Sequence, residues 1–96
     1  MDLNRLIKDR REDILRIAAR HGARNVRVFG SVARGEAGPD SDLDLLVDAG
    51  PGRTPFFPAG LLADLEELLG RKVDVLTEEA IHWYIRERVL KEALPL

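Results

Sequence analysis

Asp42 and Asp44 stand two residues apart at the head of an apolar run, inside the stretch GSVARGEAGPDSDLDLLV of residues 30–47. Side chains alternate along an extended chain, so these carboxylates project to one face about 6.6 Å apart while Leu43, Leu45 and Val47 point the other way. A third aspartate, Asp74, is set between Val73 and Val75 in KVDVL, residues 72–76. Neighbouring strands lie about 4.8 Å apart, so Asp74 joins the pair if the two runs are adjacent in a sheet. Three carboxylates on one patch repel, and at ~6 Å with an effective dielectric of ~20 each pair costs on the order of 2–3 kcal/mol. A small domain whose whole stability is about 5–15 kcal/mol needs a cation to offset that. Oxygen ligands without Cys or His favour Mg²⁺ or Mn²⁺ over zinc. Two such ions suit phosphoryl transfer, one activating the attacking oxygen and the other stabilising the leaving one.

The residues upstream fit the same chemistry. Gly30 has no side chain and lets backbone approach a phosphate closely. Ser31 offers a hydroxyl and a backbone N–H, a short helix opening there would add its positive end, and Arg34 is long enough to reach phosphate oxygens. Singly, each has an ordinary structural use: a tight turn, an acidic cap, a solvated arginine. Their concurrence points to a nucleotide. Two other motifs drop out. Gly30 and Gly35 have P-loop spacing, but Glu36 and Ala37 stand where Lys and Ser or Thr are required. Asp40, Asp42 and Asp44 mimic the first ligands of an EF-hand, but Leu45 and Pro51 stand where that loop needs Gly and Glu.

The elements that must carry these groups follow from periodicity. Leu3, Leu6, Ile7, Ile14, Ile17 and Ala18 share one helical face, with Asp2 able to cap its start and Gly22 suited to its end. Residues 26–29, 43–47 and 72–76 read as strands. Residues 49–58, AGPGRTPFFP, form the most irregular loop. Leu61, Leu62, Leu65, Leu68 and Leu69 make a helix between Pro58 and Gly70. Thr77 with Glu78 and Glu79 reads as the cap and acidic first turn of a last helix running to about Ala93. The expectation is a single α/β domain over residues 1–96, α+β-like, with a small mixed sheet of at least three strands in the order 1-2-3. With 96 residues, 45% hydrophobic and 33% charged, the chain has ordinary globular composition rather than that of a disordered one. A net charge of -2 argues against independent nucleic-acid binding. The charged N-terminal stretch is neither a signal peptide nor a membrane span, and the absence of cysteine fits a reducing compartment, so a cytoplasmic location is expected.

Gly30-Ser31, ten residues, then Asp42-x-Asp44 resembles the nucleotidyltransferase signature of the DNA polymerase β superfamily. With KVDVLT downstream, nearly the whole chain is similar to the minimal nucleotidyltransferases of bacteria and archaea. The resemblance implies a central Asp42/Asp44 strand, Asp74 as third metal-binding and catalytic carboxylate, and a nucleoside triphosphate held by Gly30 and Ser31 with Arg34 and Ser41. It further implies two Mg²⁺ ions, transfer of AMP from ATP to a tyrosine hydroxyl, and an antitoxin role beside a HEPN-domain RNase toxin. Two alternatives remain: a binding module that neutralises its partner by occlusion, and transfer to a small-molecule acceptor. Larger relatives carry an additional substrate-binding domain, and the expectation here is that a partner holds most of the acceptor.

The other candidates have plainer readings. His21 suits a helix end. Phe56 and Phe57 suit a staple on the next helix, with stacking on adenine as the alternative. On the last helix Ile81, Ile85, Val89 and Ala93 form a docking stripe. Trp83, Leu90 and Leu94 fall on nearly the opposite side and are expected to meet a partner or a second copy of the chain.

Overall fold

The computed structural model describes residues 3–96, so the expected cap by Asp2 lies outside the described residues. The chain runs α1 (Leu3–Asp9), α2 (Arg11–Arg20), β1 (Ala23–Phe29), β2 (Leu43–Ala49), α3 (Ala59–Leu69), β3 (Val73–Thr77), α4 (Trp83–Glu92) and β4 (Leu94–Pro95). The expected first helix is therefore two. Arg10 breaks it with φ −106° and ψ 11°, while Leu3 and Ile7 before the break and Ile14 and Ala18 after it all pack into one core. A bend keeps both pieces on the sheet.

β2 is internal. It pairs with β1 antiparallel and with β3 parallel, giving a mixed sheet in the order β3-β2-β1-β4. This differs from the expected three-strand order by β4, which pairs antiparallel with the outer edge of β1 through Arg27↔Pro95 and Val28↔Leu94. Two residues containing a proline carry no strand signal, and only the packing of the C-terminus creates that strand.

Alternation divides the sheet into two faces. Leu43, Leu45 and Val47 of β2 join Val73 and Val75 of β3 under α1, α2 and α3, as their spacing requires. Asn25, at φ 51°, sits in an irregularity between Arg24 and Arg27 that lets both Ala23 and Val26 face that same core. The opposite face holds a smaller cluster of Phe29, Leu46, Ile81 and Val89, covered by α4.

The last helix starts later than expected. Thr77 remains in the ladder opposite Val47, a 3₁₀ turn spans Glu78–Ala80, and Ile81 is extended and buried. The chain must leave the sheet and turn onto its other face before a helix can start. His82 then caps it, with the Tyr84 N–H donating to His82 Nδ1 at 3.1 Å. Gly22 and Gly70 end α2 and α3 in left-handed conformations, as expected. Among the described residues no helix is long and apolar enough to cross a membrane.

Candidate active site

Three residues of β2 that share a face differ completely in their surroundings: Asp44, Leu46 and Asp48. Leu46 is fully buried under α4, and the two aspartates emerge at opposite ends of that cover. Asp44 lies in register with Asp74 across the parallel ladder, so the condition for Asp74 to join the cluster is met. Asp42 comes from the loop that immediately precedes β2.

That loop is fastened from both sides. The Gly38 N–H donates to Ser41 Oγ at 2.8 Å and the Ser41 N–H to the Gly38 carbonyl at 3.2 Å. Arg71, at the entry to β3, donates to the carbonyls of Pro39 and Ser41 at 2.6 and 3.0 Å. Ser41 thus holds the loop that delivers Asp42. Asp40, Ser41, Asp42, Arg71 and Lys72 contribute to the lining of an open cleft of about 340 Å³.

Gly30 closes the other side. Its φ of 74° suits glycine, and a Cβ there would collide with the Asp44 carboxylate. Residue 30 is therefore glycine for two reasons, a left-handed turn and a carboxylate lying against its Cα. The turn that follows is held by the Arg34 N–H on the Gly30 carbonyl at 3.1 Å and the Glu36 N–H on the Ser31 carbonyl at 2.8 Å. It consists of hydrogen-bonded turns, so the expected short helix at Ser31, with its dipole, is corrected. Arg34 is exposed beside the site and pairs with Glu92 and Glu36, each at 3.1 Å.

Among the described residues no cation lies within ion-pairing distance of Asp42, Asp44 or Asp74. Burial pushes the Asp44 carboxyl above the usual carboxylate range, and the negative charges of Asp74, Asp42 and Glu92 push it the same way against the opposing pull of Arg34. Among the described residues no three acidic or imidazole groups already enclose a metal position. Asp42 and Asp74 are exposed and can rotate, Asp44 is half-buried between them in charge, and all three offer hard oxygen. The donor set fits a divalent cation such as Mg²⁺.

The remaining candidates lie elsewhere. His21 ties the end of α2 to Thr54 and Asp64, through Nδ1 at 3.0 Å and Nε2 at 2.7 Å. Phe57 packs against the main core while Phe56 is 90% exposed, so only one of the two acts as a staple. Their loop adjoins Gly22 and Ala49, some five β2 residues or about 17 Å from Asp44. The stripe of Trp83, Leu90 and Leu94 is broken. α4 ends at Glu92 and Leu94 belongs to β4, Leu90 packs against the smaller cluster, and Trp83 remains 79% exposed beside an exposed Tyr84. The residues that the sequence did not reveal are Glu92 and Arg71. Neither stands in a motif, and Glu92 is 62 residues from the glycine it contacts.

Residues 10–96 match the family model described as a nucleotidyltransferase domain. The chain is 40% identical over 88 residues to MJ0435 of Methanocaldococcus jannaschii, named "putative protein adenylyltransferase", covering 92% of this chain and 95% of that one. It is 42% identical over 77 residues to protein adenylyltransferase MntA of Thermococcus cleftensis, covering 78% of this chain and 76% of that one. A solved structure described as a "putative minimal nucleotidyltransferase" superposes with a TM-score of 0.84 at 56% identity, covering 100% and 97% of the two chains. A toxin–antitoxin crystal structure with AMP-PNP shares the fold, with a TM-score of 0.73 at 19% identity over 88% of this chain and 69% of that one.

Proposed function

The chain belongs to the nucleotidyltransferase domain family, and from that premise we propose that it transfers AMP from ATP to a protein hydroxyl, a tyrosine of a HEPN-type RNase toxin, and so acts as its antitoxin. One observation carries the reading. The half-buried Asp44 is in register with Asp74, stands two residues from Asp42, and lies against a glycine whose place no side chain could take. The names of the similar adenylyltransferases and the toxin–antitoxin neighbours support the acceptor class.

In this reading Gly30, Ser31, Arg34 and Ser41 face the triphosphate while Asp42, Asp44 and Asp74 would hold Mg²⁺, as two ions, with Mn²⁺ able to replace it. When bound, the metal offsets the carboxylates' repulsion and the charge that develops on the phosphates. The acceptor oxygen forms a bond to the α-phosphorus, the α–β anhydride bond breaks, and pyrophosphate leaves. Asp74, exposed on β3, takes the hydroxyl proton. The fastened 38–41 loop and the Gly30 turn orient the reacting groups, which is where most of the rate advantage of such a reaction arises. Trp83 and Tyr84, exposed at the start of α4, provide an apolar surface for the partner that presents the acceptor.

The test is transfer of label from α-labelled ATP to the toxin, with and without Mg²⁺. Metal-dependent labelling of the toxin is expected. Toxin neutralised without any label would establish occlusion in its place, and labelling of a small molecule alone would remove the protein acceptor.

A further inference from the structure

The Gly-Ser turn already holds an anion, supplied by the chain itself. The Gly30 N–H donates to Glu92 Oε2 at 2.9 Å, and Arg34 Nη1 lies 3.1 Å from both Glu92 oxygens. Glu92 is the last residue of α4, and its side chain is only 17% exposed. Its position is electrostatically odd. A fourth carboxylate has been brought up to a site that already contains three aspartates, and its charge adds to those that raise the Asp44 carboxyl. Solvent would accommodate it better. It stays because a backbone N–H and a guanidinium converge on it, and an N–H beside a guanidinium is also what a phosphate oxygen seeks.

Resting on the phosphate-binding reading of this turn, we infer that Glu92 is an internal occupant of the phosphate subsite, which an incoming nucleoside triphosphate displaces from Gly30 and Arg34. Glu92 thereby sets nucleotide affinity. Displacement needs no unfolding, because the side chain lies at a helix end where rotation about its own bonds takes the carboxylate to solvent. It also ties nucleotide binding to the C-terminal segment. Ala93 leaves the helix in an extended conformation, and Leu94 and Pro95 pair at once with β1.

A merely structural Glu92 and a displaceable one predict opposite signs. Binding of AMP-PNP with Mg²⁺ is measured by calorimetry for the unaltered chain and for Glu92→Gln, which keeps an oxygen for the Gly30 N–H but removes the competing charge. The variant is expected to bind about tenfold more tightly, equivalent to ~1.4 kcal/mol. Equal or weaker binding by a folded variant overturns the inference and leaves the phosphate subsite standing. Absence of binding in both chains overturns the subsite reading and this inference with it. A second measurement avoids the substitution altogether. With glutamate side-chain carboxyls labelled with ¹³C in the unaltered chain, the Glu92 signal should move to the position of a solvated carboxylate as AMP-PNP saturates the site. A signal that stays in place at saturation overturns the inference.

Discussion

Asp44 and Asp48 lie on the same face of the same strand, four residues or about 13 Å apart, and the chain treats them in opposite ways. Asp48 meets Arg27 at 2.8 Å, and the same guanidinium reaches Glu78 at 3.3 Å. Arg27 is largely buried, with 13% of its side chain exposed, so that end of the sheet is closed by a shared cation. Asp44 meets Asp74 across the ladder and has no cation within ion-pairing distance among the described residues. Between them Leu46 lies under α4. One end of the strand is neutralised from within. At the other, among the described residues, the carboxylates have no such partner, and the fold tolerates their repulsion because Asp42 and Asp74 are exposed to water.

The contrast should first break under substitution of the acidic end. Asp42→Asn or Asp44→Asn should lower transfer at least about a hundredfold, since a bound cation provides several kcal/mol of transition-state stabilisation. Asp48→Asn should leave transfer unchanged. Label-transfer assays on folded variants decide this, and comparable turnover in either site variant removes the assignment. Gly30→Ala should come next, costing about 1–3 kcal/mol in backbone strain alone and displacing the Asp44 carboxylate. Denaturant melts and transfer rates should fall together, and a variant of unaltered stability would contradict the collision.

The closed end should respond in stability and in docking. Trp83→Ala with Tyr84→Ala should weaken binding of the protein partner about tenfold, or ~1.4 kcal/mol, with the chain still folded, since exposed aromatics concentrate interface energy. Leu90 is left unaltered in that test because it packs against the smaller core. Arg27→Met should cost about 1 kcal/mol, a figure kept low because Asp48 and Glu78 are each more than a third exposed and screened by water. Its transfer rate per folded molecule should not change, and a lost rate would mean that the two ends are coupled.

The smallest effect sharpens the comparison most. The folded Asp44 carboxyl titrates above its ordinary range, so the folded chain holds that proton more tightly than the unfolded one does. The stability this contributes is complete below the ordinary aspartate pKa of about 3.9 and is lost as pH rises through the raised folded value. In metal-free buffer near neutral pH, Asp44→Asn should therefore raise Tm slightly, as should Asp74→Asn. Mg²⁺ should raise Tm only where the carboxylates remain. Melting curves at several pH values check the sign, and a variant that melts lower than the unaltered chain at neutral pH would make Asp44 a structural acceptor.

What could be read in the linear chain was whatever depends on near neighbours. Alternation placed Leu43, Leu45 and Val47 inward and Asp44 outward, because successive side chains of an extended backbone must diverge. Gly30 could be recognised as a turn, and the leucines of α3 as one helical face, for equally local reasons. The tertiary structure alone decided that β3, expected beside β2, runs parallel to it in the register that sets Asp74 opposite Asp44, that Arg71 fastens the loop delivering Asp42, and that α4 begins only at Trp83. It also decided that Leu94 and Pro95 form a strand and that Glu92 reaches Gly30. These contacts join residues far apart in the chain. They arise from burying both faces of one sheet within 96 residues, a requirement on the whole packing that leaves no period or motif at any single position.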